Sequence, residues 1–284
     1  MKGVEKFREK LPNFQGNKFL VFIVVVFIII ASSLTFQLFM DSMPRMFRDV
    51  DTLQILAPFT PIFGSLIVLI IGFSIVYNFW RVRDKYLMRY GKLAYQKAFK
   101  FVVTGVPMVM TIIIHSFFPT DLLLPYNDID SISQYLAKPI FEIFFDFSVV
   151  CFIIRISLFV LFFAKGLRVV NIALRVFGID YMGLVYIFYP EESTLQNHEI
   201  YSIMRHPTYH SLMLFSISSL FLRFSIYSFI YFLIFMVGIN IHIRFVEEKE
   251  LIERFGEKYK KYRKEVPALV VRIKDLKKYF RLIF

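Results

Sequence analysis

The sequence has almost no cysteine. Cys151 is alone among 284 residues, so the chain cannot staple itself with an internal disulfide. Its place inside an apolar run reads as a small packing residue. Tryptophan is as rare, with Trp80 the one example. There is no metal-ligand spacing of His and Cys, no glycine-rich phosphate loop and no dinucleotide glycine fingerprint, so the zinc-site, P-loop and Rossmann readings fall away. Internal repeats and low-complexity tracts are also missing. Charge is scarce and lopsided: 20% of residues are charged, and 22 acidic residues face 34 lysines and arginines. What fills the chain is hydrocarbon, at 57% hydrophobic residues, 19% aromatic, with 36 phenylalanines. An ordinary soluble domain reaches roughly 45–50% apolar only when glycine is counted. The expected class is an all-α, polytopic transmembrane helical bundle.

A span needs about 20 apolar residues. Candidates are residues 19–40, 55–80, 99–118 and 139–164, followed by a C-terminal helical hairpin between Pro207 and Val246 that breaks near Arg223-Phe224-Ser225. That predicts about six spans. Pro58, Pro61 and Gly64 are placed to kink or shorten the second. The first has a basic flank and no small-residue cleavage site after it, which reads as an anchor. Segment 81–100 carries Arg81, Arg83, Lys85, Arg89 and further lysines against Asp84, whereas 119–138 carries Asp121, Asp128 and Asp130 against Lys138. Basic loops stay cytoplasmic, so both termini are expected there. Orientation and attraction to anionic membrane lipids account for the net charge of +12 without a nucleic-acid partner.

The region 165–206 departs from the span pattern. Apolar residues keep helical spacing through Phe177, either as an extension of the fourth helix or as an interfacial helix. Tyr181 and Tyr186 read as interface markers. Gly178, Gly183, Pro190 and the polar run "EESTLQNHE" then break regular structure, and a long irregular loop in a compact protein is usually functional. Two polar clusters bracket the hairpin: Tyr201, Arg205, His206 and Tyr209 at its entrance, His242, Arg244, Glu247 and Glu248 at its exit. An antiparallel hairpin brings them face to face. On an α-helix Arg244, Glu247 and Glu248 share one side, and charges so near hydrocarbon are costly unless paired or used. In the tail, Leu251, Phe255, Tyr259 and Tyr262 recur at three and four, which also fits an interfacial helix with snorkelling lysines. His115 reads as a bond to a neighbouring helix or a cavity residue, and Glu142, Asp146 and Arg155 as helix-packing or headgroup contacts.

The run "IYSIMRHPTYHS", a hairpin, then "EEKELIERFGEKYKKYRKEVP" resembles the integral membrane methyltransferases, the group of isoprenylcysteine carboxyl methyltransferase and the phospholipid N-methyltransferases. The resemblance covers residues 165–267. It divides the chain into N-terminal transmembrane helices, 1–164, and a methyltransferase core, 165–284. It implies a cytosolic pocket for S-adenosyl-L-methionine between the loop before the hairpin and the helix after it. Carried over residue by residue, Ser193, Thr194, Leu195 and Gln196 match the loop strip that contacts the cofactor, and Tyr201, His206, Pro207, Thr208 and Tyr209 match the corner. Glu247 or Glu248 matches the anchoring carboxylate, and Arg244 is the nearest match to the arginine that meets the acceptor. Glu199 and Ser211 stand where the family often has small residues. The family's arginine position is held by Ile243, one residue before Arg244.

Methyl transfer from a sulfonium is an in-line displacement, so orientation and electrostatics are what the protein supplies. A carboxylate acceptor needs no base, and an amine does. On this reading Arg244 and Glu248 serve catalysis and Glu247 the cofactor, and the planar fork of Arg244 favours an acidic prenylated or lipid-linked acceptor over a phospholipid amine. Two rivals remain. A membrane sterol or enoyl reductase using NADPH shares the Arg-His-Pro-x-Tyr corner but lacks the paired glutamates. A transporter or lipid-binding scaffold would spread its polar residues over many spans.

Overall fold

The computed structural model of the chain describes residues 2–14, 16–118, 131–144 and 148–283. A backbone in hydrocarbon must close its hydrogen bonds internally, and the apolar runs are helices. α1 (Val4–Glu9) precedes α2 (Asn17–Met46). The short α3 (Asp51–Leu56) leads into α4 (Thr60–Arg81), and α5 (Arg83–Tyr90) into α6 (Ala94–His115). Then come α7 (Ser131–Ala137), α8 (Ile140–Phe144), the long α9 (Ser148–Phe177) and the single turn α10 (Ile179–Met182). α11 (Pro207–Arg223) and α12 (Ile226–His242) form the hairpin. A π-helical turn, Ile243–Glu247, joins α12 to α13 (Glu248–Phe255), before α14 (Glu257–Glu265) and α15 (Leu276–Ile283). Among the described residues there is no strand, and the fold is an all-α polytopic bundle.

Among the described residues, five helical stretches are long and apolar enough to cross a membrane: Leu20–Met46, Asp51–Arg81, Arg83–His115, Val149–Phe177 and Ile226–Phe255. The sixth expected span is α11, whose 17 residues rise about 26 Å at the α-helical pitch, short of a hydrocarbon core of about 30 Å. It still runs antiparallel to α12, because His206 at its start lies 3.4 Å from Glu248 just past the exit of α12. Phe224 in the left-handed region and a capping box between Ser225 and Ser228 make the break between them.

The fourth span also differs from the expected 139–164. Glu142 on α8 and Arg155 on α9 belong to separate helices and form a 3.2 Å ion pair. Asp146, like Asp121, Asp128 and Asp130, lies outside the described residues. α9 continues to Phe177, so the amphipathic stretch after residue 164 prolongs the fourth helix.

α4 and α6 cross closely. A Cβ on Gly105 would sit 2.7 Å from the Gly72 carbonyl oxygen and 2.5 Å from Val76 Cγ2, so only a small residue permits this approach. α2 packs on both through a buried polar chain. His115 Nε2 lies 2.8 Å from Asp41 Oδ2 and its Nδ1 3.3 Å from Ser65 Oγ, while Gln37 Nε2 donates to Thr111 Oγ1 at 2.7 Å. His115 thus does bond neighbouring helices. α9 lies along α11, and α12 packs against α4 and α6, which leaves a space between α4, α6, α11 and α12 where the polar clusters meet.

Candidate active site

The entrance of α11 is a fixed corner. Proline is accommodated at the first helical position, where its missing N–H would lack a partner anyway, and Pro207 holds that position. The tail grips the two residues before it: Arg205 N donates to Pro267 O at 2.9 Å and His206 N to Ala268 O at 3.0 Å. The Arg205 side chain continues this grip. Nε donates to Glu248 Oε1 at 2.9 Å, Nη1 to the carbonyls of Arg263, at 3.0 Å, and Val266, and Nη2 to Glu248. Glu248 also meets Arg263 Nε at 3.1 Å and His206 Nε2 at 3.4 Å, and the Tyr259 hydroxyl donates to it at 3.5 Å. A carboxylate this buried is tolerable because it has these partners. Burial, with Glu248 alongside, raises the Tyr259 hydroxyl well above its usual pKa, so it stays a neutral donor.

Glu247 is placed differently. Its Oε1 lies 3.7 Å from His206 Nδ1, and its Oε2 is buried with no hydrogen-bond partner among the described residues. An unpaired buried carboxylate oxygen is expensive, which marks a place where a ligand donor belongs. Glu247 lines a cavity of about 350 Å³, within the range of small-molecule sites. The polar part of its lining is Arg205, His206, Thr208 and Glu247, with Tyr181 and Tyr201. Most of the wall is apolar, including Phe73 and Val76 of α4, Val102, Val106 and Val109 of α6, and Ile239 of α12. A smaller adjoining cavity of about 60 Å³ shares Tyr181, Leu184 and Glu247 with it.

The π-helical turn sets the two glutamates apart. Such turns insert a residue into a helix and occur often at functional sites. The α-helical spacing that puts Arg244 on the side of Glu247 and Glu248 does not hold through this turn. Arg244 is exposed, lies over the ring of its neighbour Phe245 at 5.5 Å and does not line the cavity. The cations beside Glu248 are Arg205 and Arg263.

Of the other expected site residues, Tyr201, His206, Pro207, Thr208 and Tyr209 line the cavity with Glu247. Tyr201 stacks on Phe177 at 4.5 Å, and burial raises its hydroxyl above the ordinary range. The strip Ser193, Thr194, Leu195 and Gln196 does not line it. Ser193 Oγ donates to Pro190 O at 2.6 Å, Gln196 Nε2 to Thr194 Oγ1 at 2.8 Å, and Leu195 packs on the cluster of Tyr259, Tyr262 and Val266. The strip reaches the cavity through Tyr181, whose hydroxyl accepts from Thr194 N at 2.8 Å. Tyr186, read as an interface marker, is buried, and its hydroxyl donates to Asp180.

Sequence reasoning missed Tyr181 as a bridge, and it placed His242 in the exit cluster without giving it a site role. His242 lies among Phe73, Trp80 and Tyr209 at ring separations of 5.3, 5.1 and 6.2 Å and lines the cavity. The tail stripe is also bent: α13 ends at Gly256, and Tyr259 and Tyr262 turn inward, with the Tyr262 hydroxyl donating to Tyr201 O at 2.5 Å.

Neither a curated protein nor a solved structure matches the chain. A family model does: residues 154–258 match phospholipid methyltransferase. The matched segment runs from α9 into α14 and contains the corner, the hairpin and both glutamates. Over this segment the chain is similar to the phospholipid methyltransferase family, one of the integral membrane methyltransferases.

Proposed function

We propose that the protein is an S-adenosyl-L-methionine-dependent methyltransferase acting on an amine headgroup of a membrane lipid, with its site on the cytoplasmic face. The observation that carries the cofactor reading is Glu247 Oε2, buried without a hydrogen-bond partner among the described residues at the wall of a mostly apolar cavity. The donor, when bound, supplies an electrophilic methyl on a sulfonium, together with an ammonium and ribose hydroxyls. Glu247 is the group that would accept hydrogen bonds from that ammonium or those hydroxyls. Arg205 and Glu248 hold His206 and Glu247 in place, and Tyr201 and Tyr209 line the same cavity. The apolar wall suits the hydrocarbon of a lipid acceptor and keeps water out.

Two placements favour an amine acceptor. Arg244 is exposed and does not line the cavity, which lessens the support for a prenylcysteine carboxylate that rested on its fork. His242 lines the cavity, and an imidazole there can take the proton an ammonium must lose before it attacks. The carboxylate reading is kept as second because the Arg205 guanidinium also reaches the wall. Lysine- and arginine-rich segments on the side of the corner support the cytoplasmic placement.

Titration of the purified protein with S-adenosylmethionine and, separately, NADPH tests the cofactor. Saturable binding of the first alone is expected, and binding of NADPH alone would replace this reading with the reductase. Transfer of labelled methyl groups to vesicles containing phosphatidylethanolamine or a prenylcysteine then identifies the acceptor, with the amine lipid expected to be methylated.

A further inference from the structure

The basic segment ahead of the first span reads from sequence as a topology signal. In the structure it lies across the irregular loop that precedes the hairpin and is joined to it at three places. At the loop's start, Ile179 N donates to Lys2 O at 3.0 Å and Lys2 Nζ to Val176 O at 2.5 Å. Gly3 sits so close to Asp180 that a Cβ there would lie 1.8 Å from Asp180 Oδ1. Midway, Phe7 packs edge-on to Phe99 of α6, at 5.7 Å, and faces Gly183, while Lys6 lies 4.8 Å from the centre of the Tyr186 ring. At the far end, Lys6 and Lys10 both pair with Glu192, at 3.0 and 2.8 Å, and Lys10 lies 3.7 Å from the centre of the Tyr189 ring. Burial works against the Glu192 carboxylate, yet the bonds from Lys10 and Lys6 outweigh it and hold its pKa below the usual range.

Glu192 immediately precedes Ser193 and Thr194, and Thr194 N is bonded to the cavity residue Tyr181. From residue 183 to 206 the chain has only short 3-10 turns of its own. The segment's internal backbone bonds close local turns, so its placement depends on what it packs on and is tied to. We propose that residues 2–14 are a clasp that positions the cofactor loop, with Lys6 and Lys10 acting as positioning residues through Glu192. This rests on the proposed cofactor reading, and it adds a role for a part of the chain outside the matched family segment.

The two ion pairs are partly exposed, so their effect is modest and screened by salt. The Lys6→Glu/Lys10→Glu variant is expected to bind S-adenosylmethionine about three- to tenfold more weakly, raising its KM while kcat at saturating cofactor stays near that of the parent. The variant that adds Glu192→Lys restores opposite charges and is expected to recover part of the affinity. In cofactor-free protein, amide exchange over residues 179–200 is expected to quicken in the double variant and slow again in the swap, with exchange in α4 and α6 unchanged. Unaltered affinity in the double variant, or no recovery in the swap, would overturn the clasp. Should the parent not bind S-adenosylmethionine at all, the cofactor reading falls, and the exchange measurement still decides whether the clasp orders the loop.

Discussion

Arg205 and Glu248 stand 43 positions apart in the chain, and Arg205 Nε donates to Glu248 Oε1 at 2.9 Å. The bond ties the entrance of the hairpin to its exit. It also occupies Glu248, while its neighbour Glu247 keeps a buried oxygen, Oε2, without a hydrogen-bond partner among the described residues. Of the two adjacent glutamates, Glu248 is thus bonded within the fold and Glu247 is the proposed ligand contact, which separates their expected mutant phenotypes.

Glu248→Gln removes the charge that Arg205 and Arg263 share. Breaking a buried pair costs about 3 kcal/mol or more, so thermal unfolding in detergent should show a clear fall in Tm. Glu247→Gln should leave Tm near that of the parent and weaken S-adenosylmethionine binding measured by calorimetry. The reverse pattern would exchange the two roles.

His206 lies between both carboxylates and lines the cavity. Truncation to alanine should weaken cofactor binding by about 1–3 kcal/mol, the cost of one lost buried hydrogen bond. Unchanged affinity in a folded variant would remove His206 from the site.

Arg244→Ala should turn over nearly as the parent does, because the side chain is exposed and outside the cavity. His242→Gln should slow methylation of an amine acceptor sharply and flatten the rise in rate with pH that loss of the imidazole proton produces. A strong loss in Arg244→Ala with a carboxylate acceptor, and none in His242→Gln, would return the acceptor to the prenylcysteine class.

The Asp41–His115 pair holds α2 to α6 at 2.8 Å, with both side chains buried. Either single change, Asp41→Leu or His115→Leu, should cost about 3 kcal/mol or more by stranding the partner, and the double change should recover much of it. A double-mutant cycle on Tm measures this. Additive losses would show that the two groups are not coupled.

In a Cys151→Ser background, a cysteine at residue 89 should react only with a reagent applied from the cytoplasmic side, and one at residue 128 only from the opposite side. Labelling in the opposite sense would invert the proposed orientation of the site.

Helix content, the hairpin and the polar corner were all legible in the sequence, because each rests on local properties: apolar run length, a proline after Arg205-His206, and charge balance between neighbouring loops. Only tertiary structure decided the rest. Glu247 and Glu248 are chemically identical neighbours, and what distinguishes them is an arginine 43 residues before Glu248. Arg244 matches the expected spacing, but the π-helical turn that carries it is wound differently from the α-helix the spacing assumes. α11 is too short to span alone and keeps its place through α9 and α12. Lys6 and Lys10 look like any basic flank until Glu192, 182 residues beyond Lys10, folds back onto them. Local periodicity dictates which residues form a helix and which face is apolar, whereas the partner of a charge depends on chain segments that meet only after the bundle has assembled.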